Sequence, residues 1–338
     1  MSQVIETRAT LGADFIKGLA PKLFDVKNQA DDAYSLAMPS ALGVEANNFT
    51  SLWKQNKSDA AQETIASKTG VNKLELTGEG EDYKSDSRSS SYKTVFKFAK
   101  FTKSITITEE DRDDRISLGS KLDEAKDLLI SGKRTMNFHA FDLFNKAFTA
   151  QASLPAHLTF YGDGVPFCST LHPIKVAGGT QSNASATGIP LTEVNVEVAK
   201  TALRRQRDDR NEPQGFGMGK LILLVPDSLE KQAQIITDSK LRSNTANNDM
   251  NIYDGNITVI SSQWLNALNG GRDTQWFLID AMRSPAIFFM RKALSLRTPY
   301  ITDSNQNITV PIMARYQVGN SDFRGVWGSL GDLAAYAL

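Results

Sequence analysis

The pattern of apolar and polar positions is clearest between residues 191 and 236, where it predicts a helix, a charged turn, a buried strand and a second helix. Residues 191–203 place apolar side chains at helical spacing, with two glutamates in the early turns, where the helix dipole favours anions. The continuous apolar run at 221–225 is typical of a strand buried on both faces. The Pro-Asp-Ser sequence at 226–228 predicts a stop and a new helix N-cap.

A longer helical stripe covers residues 118–148 and predicts one helix of roughly 45 Å. This length exceeds that of most helices in compact domains, so it indicates a spine that spans an elongated subunit. Gly132, near its middle, marks either a bend or a close contact. The charged residues 109–115 precede this helix. Their spacing is not that of an EF-hand calcium loop and two arginines compete for the carboxylates, so an acidic helix start is predicted.

Residues 92–108 alternate on a threonine-rich background, which predicts strand structure. Lysines lie between the phenylalanines of this region, an arrangement that single-strand nucleic-acid platforms also use. The period of two favours a half-buried strand with a solvated lysine face. The interleaved lysines are Lys97, Lys100 and Lys103. Further short strands are predicted at 257–260, 276–279, 286–290, 293–296, 308–314 and 325–327.

The N-terminal third looks unable to fold alone. Residues 56–93 are the most polar in the chain and cannot bury much apolar surface. Strand character at 74–77 and after residue 92 predicts a projecting two-stranded hairpin, which is marginal in water unless it lies on something. Residues 1–55 form an arm that packs either on its own domain or on a neighbouring subunit. Residues 238–255 are rich in asparagine and are predicted to form a loop.

The composition of the chain mainly excludes classes of protein. Lys plus Arg and Asp plus Glu are equal at 38 each, so no global charge favours nucleic acid or a membrane surface. The single cysteine excludes an intrachain disulfide framework. The first 20 residues lack the apolar core of a signal peptide, and no apolar run reaches the roughly 20 residues of a membrane helix. We therefore expect a soluble protein made in a cytoplasm.

Candidate chemistry is sparse. Cys168 lies four residues before His172, but spacing alone does not show the spatial contact that a nucleophile and its base need, and a buried structural thiol is favoured. The three histidines have no metal-ligand spacing. The glycine-rich sequence at 215–220 fails the phosphate-loop pattern at two positions and precedes its strand instead of following it. We predict no catalytic, cofactor-binding or metal site.

Several blocks nevertheless resemble a known family, the Mu-like bacteriophage major head subunits, which are major capsid proteins of the Hong Kong 97-type fold. No single motif is diagnostic, and the order of the blocks carries the resemblance, which is strongest from residue 100 onward. The blocks are KFTKSITITEEDRDD (100–114), DGVPFCSTLHP with GGTQSN (163–183), RRQRDDRNEPQG (204–215), LILLVPDSLEKQA (221–233), WFLIDAMRSPAIFFMRK (276–292) and ARYQVGNSDFRGVWGS (314–329).

The resemblance implies an α+β capsid fold with five parts along the chain. They are an N-terminal arm (1–55), an extended E-loop hairpin (56–108), a peripheral domain (109–190) with its spine helix at about 118–148, an axial domain (191–280), and returning strands of both domains (281–338). It also implies a structural, non-catalytic protein that assembles as hexamers and pentamers into an icosahedral shell around double-stranded DNA. The location would be the virion, after assembly in the cytoplasm of a bacterial host.

The implied partners are other copies of this chain, a separate scaffold and protease, a portal protein and decoration proteins. DNA would be contacted non-specifically, and no cofactor or membrane is implied. The alternating charges after the first helix are expected to lie at a capsomer contact, where they would set register more than affinity. The predicted contact residues are Arg204, Arg205, Arg207, Asp208, Asp209 and Arg210.

Two other functions fit parts of the sequence. An encapsulin-type nanocompartment would share the fold and package enzymes, although the Mu-like blocks argue against it. An α/β enzyme would use the loop that contains Cys168 and His172. Some shells of this fold join lysine to asparagine covalently; no asparagine partner or acid catalyst is evident for Lys73, Lys84 or Lys93, so no crosslink is predicted.

Overall fold

The computed structural model describes residues 52–68, 70–87, 90–113, 118–238, 253, 255–302 and 306–335. The predictions for residues 1–51 of the arm and for the loop at 239–252 fall outside these residues. The helices are α1 (Glu109–Asp113), α2 (Leu118–Asn145), α3 (Glu193–Arg204) and α4 (Glu230–Thr237). The strands are β1 (Lys54–Lys57), β2 (Gln62–Lys68), β3 (Ser90–Lys97), β4 (Ala99–Ile107), β5 (Leu158–Thr159), β6 (His172–Pro173), β7 (Thr180–Gln181), β8 (Leu221–Pro226), β9 (Ile257–Ser262), β10 (Trp276–Asp280), β11 (Ala286–Leu296), β12 (Tyr300–Ile301), β13 (Ile308–Asn320) and β14 (Val326–Ser329).

The larger sheet is built around β13, which pairs antiparallel with β11, β4 and β12 and parallel with β5. β1 adds to β11 as a parallel edge. The predicted strands at 286–290 and 293–296 are one strand, β11, whose register against β13 shifts twice. The core beside this sheet includes Trp53, which meets the rings of Phe141 and Phe144 on α2 edge-on at 4.9 and 5.7 Å.

Helix α2 packs on the larger sheet and spans about 42 Å at 1.5 Å per residue. Gly132 marks a close contact, because a Cβ at this position would lie 2.8 Å from Leu294 of β11 and 3.3 Å from Ile312 of β13. The helix ends at Asn145, three residues before the predicted end. The chain tightens there into shorter hydrogen-bonded turns, in which the Ala147 N–H donates to the Phe144 carbonyl.

The smaller sheet has the order β14-β10-β8-β9, with β8 and β9 parallel. Every residue of β8 is buried, which confirms the predicted strand with two covered faces. Ile222 and Leu224 point into the core shared with α2, while Leu223 on the opposite face joins the core under α3 and α4. Helix α3 begins at the N-cap Thr192, whose Oγ1 accepts the Asn195 N–H.

The N-cap predicted at 226–228 is wrong. These residues begin a short 3-10 turn, Asp227–Leu229, and neither this turn nor α4 has a side-chain cap. The Ser228 hydroxyl donates instead to the Asp273 carbonyl at 2.5 Å. The Ser228 side chain therefore binds a carbonyl that is distant in the sequence and does not cap the nearby helix, as the local sequence had predicted it would.

The predicted strand region at 92–108 is two strands that serve different sheets. β3 ends at Lys97 and pairs with β2, while β4 begins at Ala99 and pairs with β13. Buried Phe96 packs on Phe289 at 4.9 Å, and the interleaved lysines Lys97, Lys100 and Lys103 are exposed, which confirms the solvated lysine face. The acidic start of α1 is also confirmed, with Glu109, Glu110 and Asp111 in its first turn.

The predicted hairpin is present at its base, where β2 and β3 pair antiparallel. Strand structure at 74–77 is not present: residues 70–87, the hairpin tip, have no regular structure beyond a turn at 79–80. The two arms of the tip run side by side, since the Asn72 N–H donates to Asp86 at 2.8 Å and Lys84 reaches the Leu76 carbonyl at 3.4 Å. The alternation of apolar residues predicted a strand at 74–77. Neither arm of the tip is paired with another strand through backbone hydrogen bonds.

Candidate subunit interface

The six predicted contact residues lie in a charged turn, residues 204–214, that follows α3. Asp208 is buried and organises this turn from within. Its Oδ1 accepts the backbone N–H groups of Arg210 and Glu212 at 2.9 and 2.8 Å, and its Oδ2 accepts the Gln214 side-chain amide at 3.1 Å. Asp208 therefore serves its own chain.

Asp209 also serves its own chain. Its carboxylate lies 2.7 Å from the guanidinium of Arg324, and these side chains are only 3% and 5% exposed. Arg324 also pairs with Asp322 at 3.1 Å and donates from Nε to the Arg207 carbonyl at 2.5 Å. Burial opposes the charge on Arg324, but Asp322 and Asp209 outweigh it and raise its pKa. This buried ion pair fixes the charged turn to the start of β14.

Arg210 and Glu212 join the charged turn to the hairpin tip. Arg210 forms an ion pair with Asp86 at 3.1 Å and donates to the Ser87 carbonyl at 2.7 Å. Lys73 lies 2.7 Å from Glu212 on the other arm of the tip. The pKa of Asp86 is lowered, chiefly by the hydrogen bond from the Asn72 N–H and also by Arg210. The root of the tip is thus held on its own subunit from both arms.

The remaining three predicted residues, Arg204, Arg205 and Arg207, are exposed. Arg204 donates to the Gly217 carbonyl at 3.2 Å and Arg207 to the Asn211 carbonyl at 3.0 Å, so these two guanidinium groups are oriented but still accessible. The six predicted contact residues thus fall into two groups. Three make contacts within their own subunit, and the three exposed arginines have charged groups that a neighbouring molecule can reach.

Two apolar surfaces lie near this turn. The outer face of α3 and the loop at 180–185 line an open groove of about 1090 Å³, the α3 groove, whose charged lining residues are Glu193, Glu197, Arg205 and Arg207. Val194 and Val198 lie in it and are 68% and 50% exposed. At the hairpin tip, Leu74, Leu76 and Tyr83 are wholly exposed. The sequence predicted a hairpin that must lie on something, and the alternation at 74–76 was its signal, but it did not predict the α3 groove.

Cys168 and His172 do not form a reaction centre. Cys168 is buried, and burial raises the pKa of its thiol, which disfavours the nucleophilic thiolate. The Nδ1 of His172 lies 2.7 Å from Asp163 and its Nε2 lies 3.1 Å from Asn183, so both ring nitrogens are engaged. The ring stacks on Phe323 at 3.9 Å. This histidine supports the 160–183 loop from inside.

The part of the chain that the structure describes contains no group of three His, Cys, Asp or Glu side chains arranged to hold a metal ion. Among the same residues, no helix is long and apolar enough to cross a membrane. The charged turn, the α3 groove and the hairpin tip are thus surfaces and internal supports of the fold.

The chain belongs to the phage capsid protein family, because the model of that family matches residues 91–328. This membership agrees with the predicted Hong Kong 97-type capsid fold, and the α+β class is confirmed by the helices and sheets. The chain is a capsid component and a bacteriophage-type structural protein. A search of curated proteins gave no match.

Solved capsids show weak overall similarity. The capsid of a native GTA particle is 10% identical, with 83% of this chain and 88% of that chain covered at a TM-score of 0.49. The bacteriophage JBD30 capsid is 15% identical, with 64% and 90% covered at 0.49. The capsid of Ralstonia phage GP4 is 12% identical, with 85% and 87% covered at 0.46.

Proposed function

We propose that this chain is a major head subunit that assembles as hexamers and pentamers into an icosahedral shell around double-stranded DNA. The family match over residues 91–328 is the observation that carries this proposal. The blocks that resemble Mu-like head subunits support our assignment of the chain to that branch. Within the shell we assign residues 1–55 to an arm, 56–108 to the E-loop, 109–190 to the peripheral domain, 191–280 to the axial domain and 281–338 to returning strands.

The exposed hairpin tip supports assembly on physical grounds. A chain that leaves Leu74, Leu76 and Tyr83 wholly in water forgoes about 1.5–3 kcal/mol of burial for each large side chain. A neighbouring copy supplies the missing surface. Because each copy in a closed shell holds several neighbours at once, modest contacts of this kind add up to a stable assembly.

The exposed arginines give this contact its specificity. Arg204, Arg205 and Arg207 are exposed, Arg205 and Arg207 in the lining of the α3 groove, and charges at the edge of a contact select the partner and its register. We assign an indirect role to the other three predicted residues. Asp208, Asp209 and Arg210 hold the charged turn and the root of the tip in place through contacts within their own subunit. The equal numbers of acidic and basic residues suit a shell that contacts its genome non-specifically.

Other proteins complete the proposed particle. We assign it a separate scaffold and protease, a portal and decoration proteins as further partners, and we place its assembly in the cytoplasm of the bacterial host. No cofactor has a role in this function.

Negative-stain electron microscopy of the purified chain, with light scattering on the same sample, tests the proposal. Closed shells, or rings of six and five copies, are expected. A uniform monomer across salt and protein concentrations, unchanged by the addition of a candidate scaffold protein, would refute the proposal. Nuclease digestion of native particles then separates a genome container from a nanocompartment, since protected DNA is expected inside the former and an enzyme inside the latter.

A further inference from the structure

The larger sheet concentrates positive charge in a chain whose formal net charge is zero. Its six strands carry seven lysine and arginine residues and no aspartate or glutamate. The carboxylates that balance them lie elsewhere in the chain. Such segregation gives the sheet a local positive field that the overall composition does not reveal.

Three of these residues form a row across neighbouring strands, the cation row. Arg315 of β13 lies directly opposite Lys100 of β4 on one side and opposite Lys292 of β11 on the other. At about 4.8 Å between strands, the row is about 10 Å long. Like charges directly opposite one another destabilise a sheet. None of the three forms an ion pair within the described part of the chain, and the Nε of Arg315 is buried there without a hydrogen-bond partner.

The cation row lies on the face of the sheet that is turned away from α2, the outer face. Tyr316 stacks on Phe101 at 4.5 Å, and its hydroxyl lies 2.7 Å from His139 of α2. Successive residues of a strand point to opposite faces, so Arg315 and Lys100 point away from the helix. The row is therefore open to a partner from outside the subunit.

The surroundings of the row favour phosphate over a protein partner. Thr102 and Ser104 are exposed on the outer face, and hydroxyl groups beside lysine and arginine are typical of phosphate contacts. On the six strands, all of them within the described residues, Tyr300 is the one exposed large hydrophobic side chain. A protein interface would need buried apolar anchors at its centre. Phe96 and Phe98 are buried, so they provide no platform on which bases could stack.

We propose that the outer face of the larger sheet binds the phosphate backbone of DNA, with the cation row on the phosphates and the hydroxyls of Thr102 and Ser104 beside it. This inference deepens the proposed function, because it names the subunit surface that contacts the packaged DNA. Duplex DNA carries one charge per about 1.7 Å of its axis. An extended acidic polypeptide carries at most one charge per about 3.3 Å, so duplex DNA satisfies a row of closely spaced cations better.

The salt dependence of DNA binding by the unassembled subunit tests this inference. Fluorescence anisotropy of a short labelled duplex gives the affinity, whose logarithm falls with the logarithm of salt concentration by about 0.9 per neutralised phosphate. The three cations should therefore contribute about 2.7 to this slope, which is a loss of about 40-fold over a fourfold increase in salt. The double variant Lys100→Gln, Lys292→Gln should lower the slope by about 1.8. The matched control is Lys220→Gln, Lys231→Gln, which removes two exposed lysines outside the larger sheet and should leave the slope unchanged.

Equal slopes for the two double variants, or a wild-type subunit that does not bind the duplex, would overturn the inference. Polyglutamate is the second probe, and at equal charge concentration it should release less labelled DNA than unlabelled duplex does. Equal or better competition would overturn DNA as the partner in favour of an acidic protein. If circular dichroism shows that the double variant does not fold, Lys100→Gln alone decides, since its slope should fall by about 0.9 and an unchanged slope would overturn the inference.

Electron microscopy of the same proteins separates this inference from the proposed function. DNA binding that depends on Lys100 and Lys292, in a chain that forms no shells, would overturn the proposed function and support the DNA-binding face. Shells from a wild-type chain whose DNA binding is unaffected by the double substitution would overturn the DNA-binding face and leave the proposed function intact.

Discussion

Replacing Arg324 with methionine tests whether the buried ion pair supports the charged turn. The guanidinium lies 2.7 Å from Asp209, and both side chains are almost wholly buried. Methionine keeps much of the volume and removes the charge, so Asp209 is left as a buried carboxylate without its counter-ion. Removing one partner of such a pair costs about 3–5 kcal/mol. That is a large part of the about 5–15 kcal/mol that stabilises a typical folded domain.

Urea unfolding of the unassembled subunit, followed by circular dichroism, measures this cost. The control is Lys84→Met, which breaks the Lys84–Glu75 pair at 3.2 Å between side chains that are 50% and 61% exposed. Exposed pairs contribute about 0–1 kcal/mol, so the control should unfold at nearly the wild-type urea concentration. The reasoning is refuted if Arg324→Met destabilises the subunit no more than Lys84→Met does.

A second substitution separates the loss of charge from the loss of packing. Adding Asp209→Leu to Arg324→Met removes the uncompensated carboxylate, so the double variant should be more stable than Arg324→Met alone by about 1 kcal/mol or more. If the destabilisation came from packing around Arg324, the second substitution would add a further loss instead.

Three further predictions concern the subunit core. Burial, together with the charge of His157, lowers the pKa of His139 to about 4 from its ordinary value near 6.5. Because the unfolded chain then binds a proton that the folded chain does not, the free energy of unfolding should fall by up to about 3 kcal/mol between pH 6.5 and 4, and urea titrations of His139→Gln should lack this part of the pH dependence. Gly319→Ala places a Cβ 2.0 Å from the Thr159 carbonyl, so thermal unfolding should show a loss of about 3 kcal/mol, whereas an unchanged midpoint would mean that β5 and β13 separate freely. Maleimide should label Cys168 only after denaturation, and stoichiometric labelling of native protein would contradict its burial.

The elements that the sequence predicted well are those whose signal is local. The strand β8 is a continuous apolar run because both its faces are covered, and the stripe of α2 packs on the larger sheet and shares a core with the smaller one. Such patterns predict which residues are buried, but they do not predict which residues pack against them. The same holds for the acidic start of α1, where the helix dipole acts within one turn.

The roles within the charged turn could not be predicted in this way. The partner of Asp209 is 115 residues away in the sequence, and the partner of Arg210 is 124 residues away. The six charged residues between 204 and 210 look alike in the sequence, and only the tertiary fold decides which side chains are buried as supports and which face the solvent. Ser228 shows the same limit, since a distant carbonyl outcompeted the nearby helix end.

The charged residues of this turn are connected to one another and to the hairpin tip by hydrogen bonds and ion pairs. The buried pair of Asp209 and Arg324 fixes the turn to β14, Asp208 ties the turn together, and Arg210 passes this restraint to Asp86 at the root of the hairpin tip. A binding element that is held before it meets its partner loses less conformational freedom on association. The buried ion pair therefore contributes to assembly without touching another subunit, and Arg324→Met should lower shell yield even at temperatures where the subunit remains folded.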